Sequence, residues 1–206
     1  MSTKDRKIKE KENRKELILG AAFSIMEKYG IYGLSLDLIA KETDLAKGTI
    51  YLYFKSKEEI ISTLSLKARI LLLNEFKEIA NKNLDPLNEL KQVVIENYLF
   101  FKKNALNYNL VSLYEVNNNL IETDEIQQVG IQITEIIVGM VNKAKNQGIL
   151  NPKIEPLHFT FCLWGMTMGM IQLISVRGHL MNDQLGLTEQ GLINNYTETL
   201  INGLTK

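Results

Sequence analysis

The sequence predicts an all-α protein of about nine helices. Apolar residues recur three and four positions apart in nearly every segment long enough to judge, which is the spacing of helices rather than strands. Only three prolines, at positions 86, 152 and 156, interrupt this pattern in 206 residues. With 45% hydrophobic residues, a chain of this length can bury a substantial core.

Three helices are predicted in the N-terminal part of the chain. The first sixteen residues are mostly charged, and we expect either a loose arm, over residues 1–12, or the frayed start of helix 1. The apolar stripe of helix 1 consists of Ile18, Ala22, Ile25 and Tyr29. Helix 1 then ends at Gly30, and Ser35 caps a second helix through Thr43. A third short helix is expected from Ala46 to about residue 53.

Longer helices are predicted downstream, where capping residues and prolines define their ends. Thr123 and Thr188 are the expected caps of the seventh and ninth helices, and Pro156 begins the eighth. The expected ranges of helices 4 to 9 are about 57–81, 86–103, 109–118, 123–148, 156–180 and 188–203.

The distribution of charge separates the two ends of the chain. Overall, 24 basic residues balance 24 acidic residues. Residues 1–57, however, contain twelve basic and eight acidic side chains, a net charge of +4, which leaves −4 for residues 58–206. The N-terminal end therefore suits a phosphate-bearing partner. We predict two domains, 1–57 and 58–206.

The short helices 2 and 3, joined by a tight turn after a longer helix, form a predicted helix-turn-helix. In such motifs the N-terminal end of the last helix meets base edges in the major groove. The residues expected at that end are Lys47, Gly48 and Thr49. Those expected to reach phosphates are Tyr51, Tyr53 and Lys57. Ile50 and Phe54 should face the core. Alternatively, the sequence KSKEE is only a solvated helix start and the tyrosines are half-buried spacers.

The segment LSLDLIAKETDLAKGTIYLYFKSKEEI resembles the helix-turn-helix of TetR/AcrR-family transcriptional regulators. The resemblance covers residues 14–64 and includes ELILGAAF in helix 1, IAKE in helix 2 and GTIYLYFKSK in helix 3. It implies that the first residues of helix 3 touch bases, and that Thr49, Tyr51, Tyr53 and Lys57 contact the DNA backbone. It also implies a repressor that a small-molecule effector releases from a palindromic operator in double-stranded DNA.

Two positions depart from the family pattern. Asp44 stands where the turn usually has glycine, although Asp is one of the residues that tolerate the left-handed conformation. Ala46 replaces the usual Ser or Thr cap of the recognition helix, and the loss of a cap typically costs about 1 kcal/mol. Ala46→Ser is therefore expected to tighten DNA binding or raise the melting temperature.

A homodimer is expected, because one short recognition helix reads only a few base pairs. Gly165 and Gly169 lie on one side of the eighth helix and permit close helix approach, so residues 156–180 and 188–204 are the predicted interface. The resemblance implies a four-helix bundle with the partner. Alternatively, this apolar stretch is the centre of its own subunit.

The resemblance also implies an effector cavity among the middle helices. Aromatic and methionine side chains suit an apolar or amphipathic ligand. The candidates are Tyr98, Phe101, Tyr108, Tyr114, Phe161, Trp164 and Met168. The same residue types would also form an ordinary helical core, and the sequence leaves both interpretations open.

The sequence argues against several other classes of protein. Motifs for nucleotide binding, zinc-protease chemistry or a nucleophile with its base are missing, so we expect no enzyme and no cofactor. His158 and His179 lack neighbouring ligands at metal-binding spacing. No apolar run reaches the length of about 18 residues that is needed to span a bilayer. The N-terminus does not resemble a signal peptide. Cys162 is expected to be buried. A cytoplasmic protein without a membrane partner is predicted. The alternatives are an activator, a DNA-binding member of the same family that does not respond to a ligand, or a helical interaction module that does not bind DNA.

Overall fold

The computed structural model describes residues 2–117, 120 and 122–205, and these form nine α-helices. The predicted all-α class is confirmed. The helices are α1 (Thr3–Tyr29), α2 (Leu36–Thr43), α3 (Lys47–Tyr51), α4 (Lys57–Asn81), α5 (Pro86–Lys103), α6 (Ala105–Ser112), α7 (Asp124–Asn146), α8 (Pro156–Leu185) and α9 (Glu189–Leu204). A short 3-10 turn, Ile31–Gly33, follows α1.

The chain divides into two compact units, and the division falls inside α4, between Lys67 and Ala68. The N-terminal unit contains α1 to α3 and the first part of α4. The C-terminal unit contains the rest of α4 and α5 to α9. The functional boundary after Lys57 stays a prediction, since a compact unit and a functional domain need not end at the same residue.

The core of the N-terminal unit forms around the apolar stripe of α1. Ile18, Ala22 and Ile25 are buried as predicted, together with Ile39 of α2. Tyr29 is 55% exposed, so its predicted place in this core is wrong. It is the last residue of α1, immediately before Gly30, which leaves the helix at φ 76°.

The N-terminal residues are helical, and the predicted loose arm at residues 1–12 is wrong. α1 begins at Thr3 because Ser2 and Asp5 form a capping box. The Asp5 amide donates to Ser2 Oγ at 3.2 Å, and the Ser2 amide donates to Asp5 Oδ2 at 2.9 Å. This pair satisfies two backbone donors that would otherwise fray the first turn.

The C-terminal unit follows the predicted order of helices with two corrections. α6 begins at Ala105, four residues before the predicted start, because the Asn104 side chain accepts a hydrogen bond from the Asn107 amide. α6 ends at Ser112, so the helix predicted over residues 113–117 is wrong, and the predicted end, Asn118, lies outside the described residues. α8 continues to Leu185, beyond the predicted end near Leu180, and ends at Gly186 in the left-handed conformation.

Polar contacts hold α5 against its neighbours in the C-terminal unit. The buried Glu89 of α5 accepts a hydrogen bond from Lys143 Nζ of α7 at 2.7 Å, and Lys143 also donates to the Leu84 carbonyl. Glu189 at the start of α9 accepts hydrogen bonds from Tyr98 and Lys102 of α5, at 2.8 and 2.9 Å. These contacts fix α5, α7 and α9 around an apolar interior.

One side of α8 is buried and the other is exposed. The buried residues recur at helical spacing: Thr160, Leu163, Thr167, Ile171, Ile174 and Gly178. The exposed side is also apolar, and it includes Leu173, Val176 and Leu180. Cys162 lies among the exposed residues, so its predicted burial is wrong. By length and composition α8 could cross a membrane, which corrects the expectation that every apolar run is too short.

Candidate DNA-binding surface and ligand cavity

The turn between α2 and α3 has the geometry that a helix-turn-helix needs. Ser35 Oγ accepts a hydrogen bond from the Leu38 amide at 3.3 Å and starts α2. Asp44 ends α2 with φ 55° and ψ 32°, in the left-handed region, as its position predicts. The Leu45 amide then donates to the Ala40 carbonyl at 3.1 Å, which closes the turn.

Buried residues hold the C-terminal part of the recognition helix α3, whereas its N-terminal end has no side-chain cap. Ile50 is fully buried and Phe54, just after the helix, is 3% exposed, as the sequence predicts. Ala46 occupies the N-cap without a side-chain acceptor, so the first amides of α3 lack the usual cap. Regular helix ends at Tyr51, and the next two residues form a turn rather than the predicted last part of the helix.

The predicted DNA-contact residues lie together around α3 and the start of α4. Lys47, Gly48, Tyr51 and Lys57 are exposed, whereas Thr49 and Tyr53 are half-buried. A Cβ added to Gly48 would meet no described atom within 4 Å, so packing inside the chain does not demand glycine there. Lys47 Nζ lies 2.5 Å from Asp37 Oδ1, in an exposed ion pair that contributes little stability and can open.

The KSKEE segment acts as a helix start and also presents a lysine. Ser56 Oγ accepts from the Glu59 amide at 3.2 Å, and Glu59 Oε2 accepts from the Lys55 amide at 2.5 Å. Lys57 is the first residue of α4 and stays exposed. Both interpretations of this segment are therefore compatible with its structure.

A cavity of about 890 Å³ lies within the C-terminal unit, between α4, α6, α7 and α8. Most of its lining is apolar. The apolar and aromatic lining residues are Val111, Tyr114, Ile131, Ile133, Ile137, Val138, Leu157, Phe161 and Trp164. Three of the seven predicted ligand residues, Tyr114, Phe161 and Trp164, are in this set.

The other four predicted ligand residues do not line this cavity. Tyr98 is buried and donates to Glu189, and its pKa is raised to about 12, first by burial and then by this carboxylate. Tyr108 is buried and packs edge-on against Phe101, with ring centroids 5.6 Å apart. Met168 is half-buried on α8. Helical spacing could not separate these positions from cavity positions, because both sets consist of large apolar or aromatic side chains.

Charged side chains gather at one end of the cavity. The buried Arg69 of α4 lies 3.3 Å from Glu115 and 2.5 Å from Glu122. Its guanidinium also donates to the Val111 and Ile126 carbonyls, both at 3.4 Å. Burial, and to a smaller degree the neighbouring Glu122, raise the pKa of Glu115, while Arg69 opposes that rise.

The sequence reasoning missed this charged cluster. Glu115 and Glu122 are not among the site residues predicted from the sequence, whereas the structure pairs both with Arg69. The available signal was Arg69 itself, a cation directly before the apolar run 70–73 of α4. A charged residue at such a position is rarely buried without a partner.

The predicted dimer glycines are on the exposed side of α8. Neither Gly165 nor Gly169 has a described atom within 4 Å of the place where a Cβ would stand. The central-core alternative explains only the buried side of this helix. The exposed side of α9, by contrast, is largely polar, with Asn194, Asn195 and Glu198.

Comparison with known proteins agrees with this arrangement. Residues 18–64 match the family described as "Bacterial regulatory proteins, tetR family". The HTH-type transcriptional regulator YhgD of Bacillus subtilis is 28% identical over 144 residues, which are 70% of this chain and 73% of the relative. The "Fatty acid metabolism regulator protein" of the same bacterium is 28% identical over 148 residues, 72% of each chain.

A solved structure shows the same fold over nearly the whole chain. It is the transcriptional regulator FadR of Bacillus subtilis in complex with stearoyl-CoA, with a TM-score of 0.73 and 21% identity. The match covers 92% of this chain and 98% of FadR. The helix-turn-helix with its left-handed Asp44 turn, the family match and the shared fold lead to one conclusion: the chain belongs to the TetR family of bacterial transcriptional regulators.

Proposed function

We propose that this regulator is a homodimeric, cytoplasmic repressor that a small amphipathic molecule releases from a palindromic operator. The observation that carries the proposal is that α4 is one continuous helix with Lys57 at its start and Arg69 at the cavity. A ligand that displaces Arg69 therefore acts on the same helix that begins beside the recognition helix. A coupling free energy of about 1 to 3 kcal/mol would be enough for regulation.

The proposed DNA contacts are those predicted for α3 and the start of α4. Lys47, Gly48 and Thr49 would meet base edges, and Tyr51, Tyr53 and Lys57 would donate to phosphates. Support comes from their position around the buried Ile50, with four of the six residues exposed and Thr49 and Tyr53 half-buried. The recognition helix itself, residues 47–51, contains no acidic residue that would repel the duplex.

The proposed dimer interface is the exposed apolar side of α8. The two glycines would allow the α8 helices to approach closely, and Leu173, Val176 and Leu180 would be removed from water. We expect a partner to bury this exposed apolar area, since soluble monomers rarely leave a continuous apolar helix face in contact with water. We assign this face to a second copy rather than to lipid, because the opposite side of α8 packs inside its own unit.

The proposed effector has a long apolar part and a neutral or cationic head. The relatives named for fatty acid metabolism and crystallised with stearoyl-CoA support the apolar part. The lining of the cavity, however, contains one guanidinium and three carboxylates, those of Glu115, Glu122 and Glu135. Arg69 is already paired, and Glu135 makes no ion pair with any described residue. A polyphosphate head would therefore meet net negative charge.

Trp164 is the only tryptophan and lines the cavity, so its fluorescence reports ligand entry directly. We would titrate the protein with stearoyl-CoA, stearic acid and stearyltrimethylammonium, while following both Trp164 emission and the anisotropy of a labelled operator. The cationic amphiphile is expected to change the emission and release the DNA at the lowest concentration.

Matched variants localise the effect. Val138→Phe fills part of the cavity and should weaken the response, whereas Gln132→Phe places the same ring on an exposed position of α7 outside the lining. DNA release that persists in Val138→Phe would overturn the cavity as the effector site. A wild-type protein that binds no DNA at low salt would overturn the regulatory function itself.

A further inference from the structure

The first turns of α1 carry a stripe of cations that the helix-turn-helix does not use. The stripe consists of Lys4, Lys7, Lys11, Arg14 and Lys15. At 3.6 residues per turn, these positions fall within an arc of roughly 100°. The acidic residues of the same segment, Asp5, Glu10, Glu12 and Glu16, lie outside that arc. We call these five cations the basic stripe.

The basic stripe has no ion-pair partner among the described residues. Lys4, Lys7, Lys11 and Arg14 are exposed and Lys15 is half-buried. None of the five forms an ion pair with another described residue, although the nearby Glu16 pairs with Lys67 of α4 at 2.6 Å. Lys7, Lys11 and Lys15 follow one another at i, i+4 spacing, where like charges repel and oppose the helix. This repulsion lowers the stability of the isolated helix, and a bound polyanion would neutralise the charges and remove the repulsion.

The basic stripe continues the face by which α1 packs in its own unit. Ile18, Ala22 and Ile25, which are buried, fall within the same arc of the helix. Within this unit, α1 packs chiefly on α2, the first helix of the helix-turn-helix. The stripe therefore leaves the core on the side of α1 where α2 lies, and it passes beyond the packed part for about three turns.

The structure holds this segment as a helix with a defined start. The Ser2–Asp5 capping box begins α1 at its first possible turn, so the five cations are displayed as a fixed array. Positions 4 to 15 span roughly 17 Å at 1.5 Å per residue. That length equals the rise of about five base pairs along the duplex axis, so several phosphates lie within its reach.

We propose that the basic stripe of α1 is a second DNA-contact surface, which binds backbone phosphates of the duplex that flanks the bases read by α3. The inference rests on the proposed DNA-binding function and adds a site that reads no sequence. Phosphodiester backbone is a better partner than an anionic membrane surface, because residues 4–16 contain only one large apolar side chain, Ile8. A membrane-bound helix needs a continuous apolar face.

The test compares two variants that remove the same charge from the same helical segment. Lys7→Gln/Lys11→Gln removes two cations of the basic stripe, and Arg6→Gln/Lys9→Gln removes two cations from the other faces. Glutamine keeps the helix propensity close to that of the native residues. Affinity is measured by fluorescence anisotropy between 50 and 200 mM salt, on a duplex that the wild-type protein has selected from a random-sequence library.

For the stripe variant, the slope of log K against log salt should fall in magnitude by about 1.8 for each protomer bound, since each phosphate contact contributes about 0.9. The control variant should keep the wild-type slope. Circular dichroism should show equal or greater helicity in the stripe variant, because a repulsion has been relieved. Weaker binding would then not be due to unfolding.

Three outcomes count against parts of this account. Equal slopes for the two variants would overturn the proposal while leaving DNA binding by α3 intact. Stripe-dependent binding to phosphatidylglycerol vesicles, with unchanged DNA affinity, would assign the stripe to a membrane and would also overturn it. Failure of the wild-type protein to select any duplex would instead overturn the proposed DNA-binding function.

Discussion

The two units of this regulator present their functional groups in opposite ways. In the N-terminal unit, Lys47, Tyr51 and Lys57 project into solvent, and a buried anchor behind them carries the stability. In the C-terminal unit, the polar groups of the cavity and of the helix contacts are largely buried and paired. The buried guanidinium of Arg69 and carboxylate of Glu89 are examples. Substitutions should therefore mainly affect binding in the first unit and mainly affect folding in the second.

The largest effect is expected at the contact between α5 and α7. Lys143→Met would leave the carboxylate of Glu89, which is 3% exposed, without its cation, and the free energy of unfolding should fall by about 3 kcal/mol. Urea denaturation measures this loss. The double variant Lys143→Met/Glu89→Gln should recover part of it, since a neutral amide is less costly to bury. A loss of about 0.5 kcal/mol or less would show that Lys143 behaves as a surface cation.

On the DNA-binding surface, a substitution is expected to lower the affinity for DNA without lowering the stability of the fold. Tyr51→Phe removes a hydroxyl proposed to donate to a phosphate, and operator affinity should fall by about 1.5 kcal/mol per site, roughly tenfold. Its melting temperature should not change, because Tyr51 is 53% exposed. Tyr29→Phe is the matched control: Tyr29 is 55% exposed at the end of α1, outside the proposed surface. An equal loss of affinity in both variants would contradict the assignment of Tyr51.

A smaller effect is expected at Ala46, where one substitution can change both the stability of the fold and the affinity for DNA. Ala46→Ser would supply the missing cap of α3, and we expect a gain of about 1 kcal/mol in unfolding free energy or in operator binding. Thermal melting and anisotropy titration measure the two terms separately. If neither measurement changes, the first amides of α3 are already satisfied in another way.

The smallest effect is expected from the pH dependence of the α5–α9 contact. Hydrogen bonding from Lys102 is the main cause that lowers the pKa of Glu189 below its ordinary value of 4.5. The stabilisation is therefore complete above pH 4.5 and is lost as the pH falls through the lowered pKa. Glu189→Gln should show a shallower acid dependence of unfolding than the wild type. Glu155→Gln, at an exposed carboxylate just before α8 that forms no ion pair with a described residue, serves as the control.

The sequence predicted the N-terminal unit well because its determinants are local. Ser35, Asp44 and Ile50 each act within a few residues of their own position, so cap, turn and anchor can be recognised from spacing alone. The incorrect prediction at the N-terminus of this unit also has a local cause. The Ser2–Asp5 capping box converts an expected arm into helix, and its signature overlaps a run of charges that resembles a disordered tail.

The cavity was less predictable because contacts distant in the sequence create it. Arg69 of α4 meets Glu115 and Glu122, which both belong to the segment between α6 and α7, and no periodicity relates these three positions. Aromatic content identified Trp164 and Phe161, but it could not separate them from Tyr98, whose hydroxyl is used to hold α9. The roles of these residues in ligand binding, and those of Gly165 and Gly169 in dimerisation, stay predictions.

Covering the bare side of α8 with a second copy would make the amount of working regulator depend on how much of it the cell synthesises. Association that occurs only between folded chains stabilises them by mass action, so dilution would lower the melting temperature. At low copy number a larger share of the chains would be single and unable to span both half-sites. Operator occupancy would then depend on the expression level as well as on the effector concentration. A modest fall in synthesis would lower operator occupancy, as the effector does.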